Sequence, residues 1–170
     1  MYNMEKPNRK LPRLRQYDYS SNGKYFITIC VQDMKCVLSK IVGSGDPDAP
    51  QVLLTDYGIV VEKNITTMNT IYNDILIEKY TIMPNHLHMM ISIETADLSG
   101  ASRSPLPTNS KLSRHIGTLK RFCNQQIGAN IWQTGFYDHI IRDEEDYYYH
   151  MQYIDENPKK WLLGKDKYYS

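Results

Sequence analysis

The chain has 170 residues, 41% of them apolar and 23% charged, with a formal net charge of +1; that length fits a single domain over 1–170, and that composition excludes the disordered and fibrous classes. No stretch approaches the roughly 20 consecutive apolar residues that cross a bilayer, and the N-terminal MYNMEKPNRKLPRLRQ lacks the apolar centre of a signal peptide, so a cytoplasmic protein is expected. Three cysteines, Cys30, Cys36 and Cys123, without a CxxC pair, read as reduced, buried thiols and argue against a disulfide framework or a zinc knuckle.

Residues 1 to about 22 read as a basic arm: up to Lys24 there are six basic residues, Arg13 and Arg15 among them, against two acidic ones. Local basic surfaces of this kind neutralise phosphates even in a near-neutral protein. After the turn signal Asn22-Gly23, the β-branched and aromatic run KYFITICV (24–31) reads as a buried strand. GSGDPDAP (43–50) is a loop by composition, and Tyr57, Val61, Ile65, Met68 and Tyr72 recur at helical spacing over 55–72, with Gly58 tolerated at some cost.

Two β-rich runs follow, 74–83 and 86–94, separated by Pro84-Asn85, and then a Ser/Pro-rich loop over 95–109. Ser110 can cap a helix that buries Leu112, Ile116, Leu119, Cys123 and Ile127. Its other face carries Lys111, Arg114, Thr118 and Arg121, and no acid occurs between Asp97 and Asp138, so Lys111, Arg114, Lys120 and Arg121 are candidate phosphate contacts. The stretch 131–141 reads as a short strand plus a connection. Asp143, Glu144, Glu145 and Asp146 favour the start of a last helix over about 143–157, which Pro158 is expected to limit. The order β-α-β-β-α-β-α, without internal repeats, predicts an α+β fold: a ferredoxin-like antiparallel sheet with packed helices.

Strand periodicity sends His86 and His88 to one face and Leu87 to the other, so two imidazoles are offered side by side to a divalent metal. Satisfied strand histidines would give the same pattern. In the last helix Tyr149, Tyr153 and Asn157 recur every fourth residue, which predicts one shared face. A tyrosine there can attack a phosphodiester, but spacing alone does not choose among Tyr147, Tyr148, Tyr149 and Tyr153.

IMPNHLHMMI (82–91) resembles the HUH-motif strand of single-tyrosine transposases of insertion-sequence type, and in particular the REP-associated branch with its MPNH-hydrophobic-H pattern. YIDENPKKW (153–161) is similar to that branch's nucleophile segment, a tyrosine followed by isoleucine and then an Asn-Pro pair. KYFITICV, KLSRHIGTLKRF and IWQTGFYDHIIRDEEDY fit in consistent order, so the resemblance spans about residues 9–161. It implies an HUH endonuclease core, dependence on Mg²⁺ or Mn²⁺, and single-stranded DNA with hairpin, palindromic elements as the partner. It further implies Tyr153 as the nucleophile and His86 and His88 as metal ligands, with Asn157 as a third where the insertion-sequence enzymes often carry Gln. Those enzymes work as dimers with exchanged nucleophile helices, whereas the REP-associated branch is expected to act as monomers. Two other readings stand beside this one, a domesticated non-cleaving nucleic-acid-binding protein and a water-using metal phosphoesterase. His139 and Arg142, adjacent in sequence to the nucleophile helix, are expected to be structural.

Overall fold

A computed structural model describes residues 22–43, 50–94 and 110–166; the basic arm, with Arg13 and Arg15, lies outside them. The elements run β1 (Gly23–Cys30), a 3-10 turn (Gln32–Met34), β2 (Ser39–Val42), β3 (Gln51–Leu54), α1 (Asp56–Ile71), β4 (Ile75–Ile82), β5 (His86–Ile93), α2 (Lys111–Ile127), β6 (Tyr137–Ile140) and α3 (Glu144–Leu162).

The main sheet has the order β4-β5-β1-β6 with antiparallel neighbours throughout. Counting only its own strands, that is second-third-first-fourth, the ferredoxin-like arrangement expected from the sequence. β5 is buried along its whole length, because both faces of the sheet are covered. Tyr25, Ile27 and Ile29 of β1 and Leu87, Met89, Ile91 and Ile93 of β5 turn toward one face. There they meet Val61, Ile65 and Met68 of α1 and Leu112, Ile116, Leu119 and Cys123 of α2. The alternate residues, among them Phe26, Thr28, His86 and His88, turn to the opposite face, which α3 covers.

Both long helices before α3 begin as their caps dictate. Thr55 accepts a hydrogen bond from the Gly58 amide (3.2 Å), and its hydroxyl also donates to the Leu38 carbonyl (2.9 Å). Ser110 accepts from the Ser113 amide (3.2 Å). Gly58 is more than tolerated: a Cβ there would sit 2.1 Å from the Leu38 carbonyl oxygen, so the start of α1 needs glycine to approach this chain segment.

Three features depart from the sequence expectation. The hairpin β2–β3 was not foreseen; its strands have four residues each, too short for periodicity to stand out. Cys36 is exposed while Cys30 and Cys123 are buried. α3 runs through Pro158 to Leu162 instead of ending near Asn157. A proline inside a helix removes one hydrogen bond, but Ile154 (2% exposed) and Trp161 (8%) are buried on either side of it, and their packing carries the helix past the defect. A register shift between Ile77 and Lys79 marks a bulge, braced by Asn69, whose amide bonds the Ile77 carbonyl and N–H (3.0 and 2.9 Å). The bulge turns Glu78 onto the α3 face, where it accepts a hydrogen bond from the Tyr147 hydroxyl (2.7 Å) and pairs with Lys24.

Candidate metal and nucleophile site

The α3 face of the sheet gathers the chemistry-bearing residues. His86 and His88 are both buried (0% and 1% exposed), with ring centroids 4.5 Å apart and planes at 69°. Each ring is fixed through Nδ1. His86 Nδ1 lies 2.8 Å from the Asn85 side-chain oxygen, an acceptor, so that nitrogen carries the proton and Nε2 carries the lone pair. His88 Nδ1 lies 2.8 Å from the hydroxyl of Thr28, its direct cross-strand neighbour. Burial pushes the His86 imidazole down to about 3, with the Asn157 amide opposing, so the ring is neutral at physiological pH, as a metal ligand must be.

α3 lays Tyr153 and Asn157 over this pair. The half-buried Tyr153 ring stands 5.3 Å from the His88 ring and edge-on to Phe26 at 5.8 Å. One turn later Asn157 is fully buried, and among the described residues neither its amide oxygen nor its amide nitrogen has a hydrogen-bond partner of good geometry. Such a group costs stability unless a ligand satisfies it. It sits close enough to influence both the His86 ring and the Tyr153 hydroxyl. Two imidazole nitrogens and an amide oxygen form a donor set that suits a hard-to-borderline divalent ion and leaves positions for phosphate oxygens. The Tyr153 phenol is held above its ordinary range by burial and by the nearby Asp166 carboxylate, with Asn157 opposing. Asp166 reaches this point because Gly164, in left-handed conformation (φ 62°), folds the chain back after α3 and leaves the carboxylate buried.

The expected shared face of Tyr149, Tyr153 and Asn157 is only partly realised. A four-residue step overshoots a full turn by about 40°, and Tyr149 is 64% exposed, as Tyr148 is at 65%. The face turned to the sheet is His150, Tyr153, Asn157 and Trp161. His150 packs at a tilt against Phe26 (4.7 Å, planes at 45°), and Trp161 lies 6.2 Å from His86. Of the four tyrosines that spacing left open, Tyr153 is the one beside the histidines. Phe26, Thr28, Asn85 and His150 were missed from the sequence. The alternation within KYFITICV and the i−3 relation of His150 to Tyr153 were the available signals.

A second cluster, His139, Asp146 and His150, offers three donor atoms within 4.8 Å of one another. Its two rings are stacked at 4.5 Å with planes only 23° apart, so their in-plane lone pairs run alongside each other and do not converge on one ion. The Asp146 carboxylate instead bonds His139 (2.9 Å) and the Arg142 amide (3.0 Å), which ties α3 to β6.

Of the candidate phosphate contacts, Lys111 pairs with Asp74 at 2.5 Å. Lys120 donates to the Gln133 carbonyl (2.9 Å) and the Gly135 carbonyl, and burial pushes its ammonium down to about 8. Both lysines thus already have partners within the fold. Arg114 and Arg121 are exposed. α2, however, lies on the sheet face opposite Tyr153, so the structure does not bring its basic stripe to the histidines. Among the described residues no helix is long and apolar enough to cross a membrane.

No family model matches the chain. An uncharacterised Haemophilus influenzae protein is 31% identical over 94% of this chain and 93% of its own length. A second protein of that organism, provisionally named a REP-associated tyrosine transposase, is 27% identical over 84% of this chain and 74% of its own. The Escherichia coli REP-associated tyrosine transposase is 32% identical over 49% of this chain and 44% of its own. Among solved structures, that of a REP-associated tyrosine transposase bound to a REP hairpin superposes with a TM-score of 0.60 at 23% identity, covering 91% of this chain and 76% of that one, and so shares the fold. With full-length similarity, named relatives in two organisms and the shared fold, the chain belongs to the REP-associated tyrosine transposase family.

Proposed function

We propose that this protein cleaves and rejoins single-stranded DNA carrying hairpin elements, through a covalent 5′-phosphotyrosine on Tyr153. The observation that carries the reading is the meeting of a half-buried tyrosine with two ring-fixed histidines and a buried Asn157 amide that has no hydrogen-bond partner of good geometry among the described residues. Residues 1–170 act as one domain, and the hairpin partner is inferred from the hairpin-bound relative.

In this scheme the Tyr153 oxygen forms a bond to phosphorus as the bond to the 3′-oxygen breaks. The bonding pair leaves with that oxygen, which takes a proton from water, while the phenolic proton is lost to water. The phosphodiester energy is kept in the tyrosine link, so the liberated 3′-hydroxyl can reverse the step on another strand without a nucleotide cofactor. His86 and His88, with Asn157, would hold Mg²⁺ or Mn²⁺, which supplies electrophilic polarisation of the phosphate and favours the phenolate. The Asn85 and Thr28 contacts fix the histidine orientations beforehand. Phe26 and the His139–Asp146 tie hold α3, and with it Tyr153, against the sheet. Arg114 and Arg121, with Arg13 and Arg15, serve as phosphate contacts away from the chemistry.

Incubation with hairpin oligonucleotides bearing unpaired flanks and Mn²⁺ tests the reading. A denaturant-resistant protein–DNA adduct mapped to Tyr153 is expected. Tight hairpin binding without any adduct would favour a non-cleaving binding protein, and metal-dependent hydrolysis without an adduct would favour a water-using phosphoesterase.

A further inference from the structure

We propose that Lys160 is a further catalytic residue of this site: its ammonium pairs with the scissile phosphate as Tyr153 attacks, and Glu156 holds it in place until DNA arrives. The inference rests on the nucleophile reading above and gives a role to a residue that lies within YIDENPKKW but to which neither that resemblance nor the metal-ligand set assigns one.

Lys160 lies seven residues, or about two helical turns, beyond Tyr153. Helical side chains lean toward the N-terminus, and Lys160 does so far enough to place Nζ over the Tyr153 ring, 4.6 Å from its centroid. On the way it pairs with Glu156 at 3.1 Å, and its side chain remains 35% exposed. Of the side chains described against the Tyr153 ring, namely Phe26, His88 and Lys160, the last is the one permanently charged group.

The site needs such a charge. Its protein groups are two imidazoles and an amide, with a buried Asp166 carboxylate nearby, yet it must receive an anionic phosphodiester whose charge grows as the phenolic oxygen attacks. A cation already aligned with the attacking ring can meet that charge without rearrangement of the helix. Releasing it costs little. The pair is partly exposed, and Glu156 keeps a second partner, the Gln152 amide, which donates to it at 2.6 Å. If Lys160 served only as a surface ion pair packed on a ring, neutralising it would leave the chemistry unchanged.

Three variants separate these roles: Lys160→Met, Lys160→Arg and Glu156→Gln. For each, hairpin affinity is measured by fluorescence anisotropy and the single-turnover rate of adduct formation at saturating oligonucleotide with Mn²⁺. Lys160→Met is expected to bind within about twofold of wild type but form adduct roughly 10- to 100-fold more slowly, in line with removal of one aligned charge-stabilising group. Lys160→Arg should recover most of that rate, and Glu156→Gln should raise it roughly twofold by freeing the lysine. Adduct formation by Lys160→Met at the wild-type rate overturns the inference, as does a slowing fully accounted for by weaker binding or one that arginine does not rescue. If wild type itself forms no adduct, the nucleophile reading fails first and takes this inference with it.

Discussion

The two faces of the four-stranded sheet are made from the same strands and do opposite things. On the α1/α2 face, alternate residues of β1 and β5 are aliphatic or aromatic and close into one apolar cluster. On the α3 face, the neighbouring residues of those strands include Thr28, His86 and His88, each buried. Burial on the first face stabilises, at about 25 cal/mol for each Å² of apolar surface removed from water. Burial on the second strips water from polar groups, among them the Asn157 amide that α3 brings there, which has no hydrogen-bond partner of good geometry among the described residues. On the function proposed above, the α3 face is where the fold gives up stability for chemistry, and substitutions on the two faces should fail in different ways.

The largest contrast is expected at Tyr153. Tyr153→Phe should bind hairpin DNA normally, unfold at the same urea midpoint and form no detectable adduct, because removal of one hydroxyl leaves the ring packed against Phe26 and His88. The 64%-exposed Tyr149 is the matched control: Tyr149→Phe should retain most adduct formation. A DNA-linked peptide containing Tyr149 would break the assignment. His86→Ala or His88→Ala should likewise abolish Mn²⁺-dependent nicking with little change in the urea midpoint; nicking at the wild-type rate in either would remove the metal role.

On the opposite face the same size of change should cost stability instead. Ile27 is fully buried in the α1/α2 cluster, so Ile27→Ala should lower unfolding free energy by about 2–5 kcal/mol. Adduct formation at a temperature where the variant stays folded should remain close to wild type. A selective loss of chemistry without loss of stability would mean that the two faces are coupled more tightly than their compositions suggest.

His115 sharpens the comparison as a polar residue on the apolar face. It is 2% exposed, neither ring nitrogen has a hydrogen-bond partner among the described residues, and its ring meets Tyr72 edge-on at 5.0 Å. Burial pushes it from 6.5 down to about 4, with Asp74 opposing. Below pH 6.5 the unfolded chain takes up a proton that the folded chain refuses. This contribution to stability is therefore complete above pH 6.5 and is lost progressively as pH falls toward 4. Between pH 7 and 5 wild type should lose about 2 kcal/mol through this group, and His115→Leu should show a correspondingly shallower acid limb in urea titrations. Parallel acid limbs would show that the ring finds a way to protonate in place.

Much of this division was legible in the sequence. Period-two alternation sent His86 and His88 to one face and Leu87 to the other, whereas the same alternation in KYFITICV, which puts Phe26 and Thr28 beside those imidazoles, was a signal the reading of a buried strand left unused. What was not legible came from tertiary packing. Pro158 is a local stop signal, but Ile154 and Trp161 override it; spacing left Tyr153 among four tyrosines, the YIDENPKKW resemblance pointed to it, and the docking of α3 is what sets its ring beside His88. The basic residues of α2 show the same limit. Periodicity put Lys111 on an exposed stripe, and composition added Lys120 to the candidate phosphate contacts, yet one found a carboxylate and the other two carbonyls, partners distant in sequence.

The smallest expected effect concerns the remaining pair, Arg114 and Arg121. Both are exposed on α2, with Arg121 also resting over the Phe122 ring at 5.3 Å. Because α2 and Tyr153 lie on opposite faces, any phosphate these arginines hold is remote from the bond being cut. Arg114→Ala combined with Arg121→Ala should weaken hairpin binding and flatten the dependence of log affinity on log salt by roughly one unit for each phosphate no longer neutralised. The adduct rate at saturating DNA should be unchanged. The same weakening is expected for oligonucleotides of different sequence, since pairing with a phosphate carries no base information. An unchanged salt slope would assign both arginines to the solvent. A fall in the saturated rate would instead mean that DNA held on α2 helps position the scissile phosphate across the sheet, and the separation of binding face from chemical face would have to be given up.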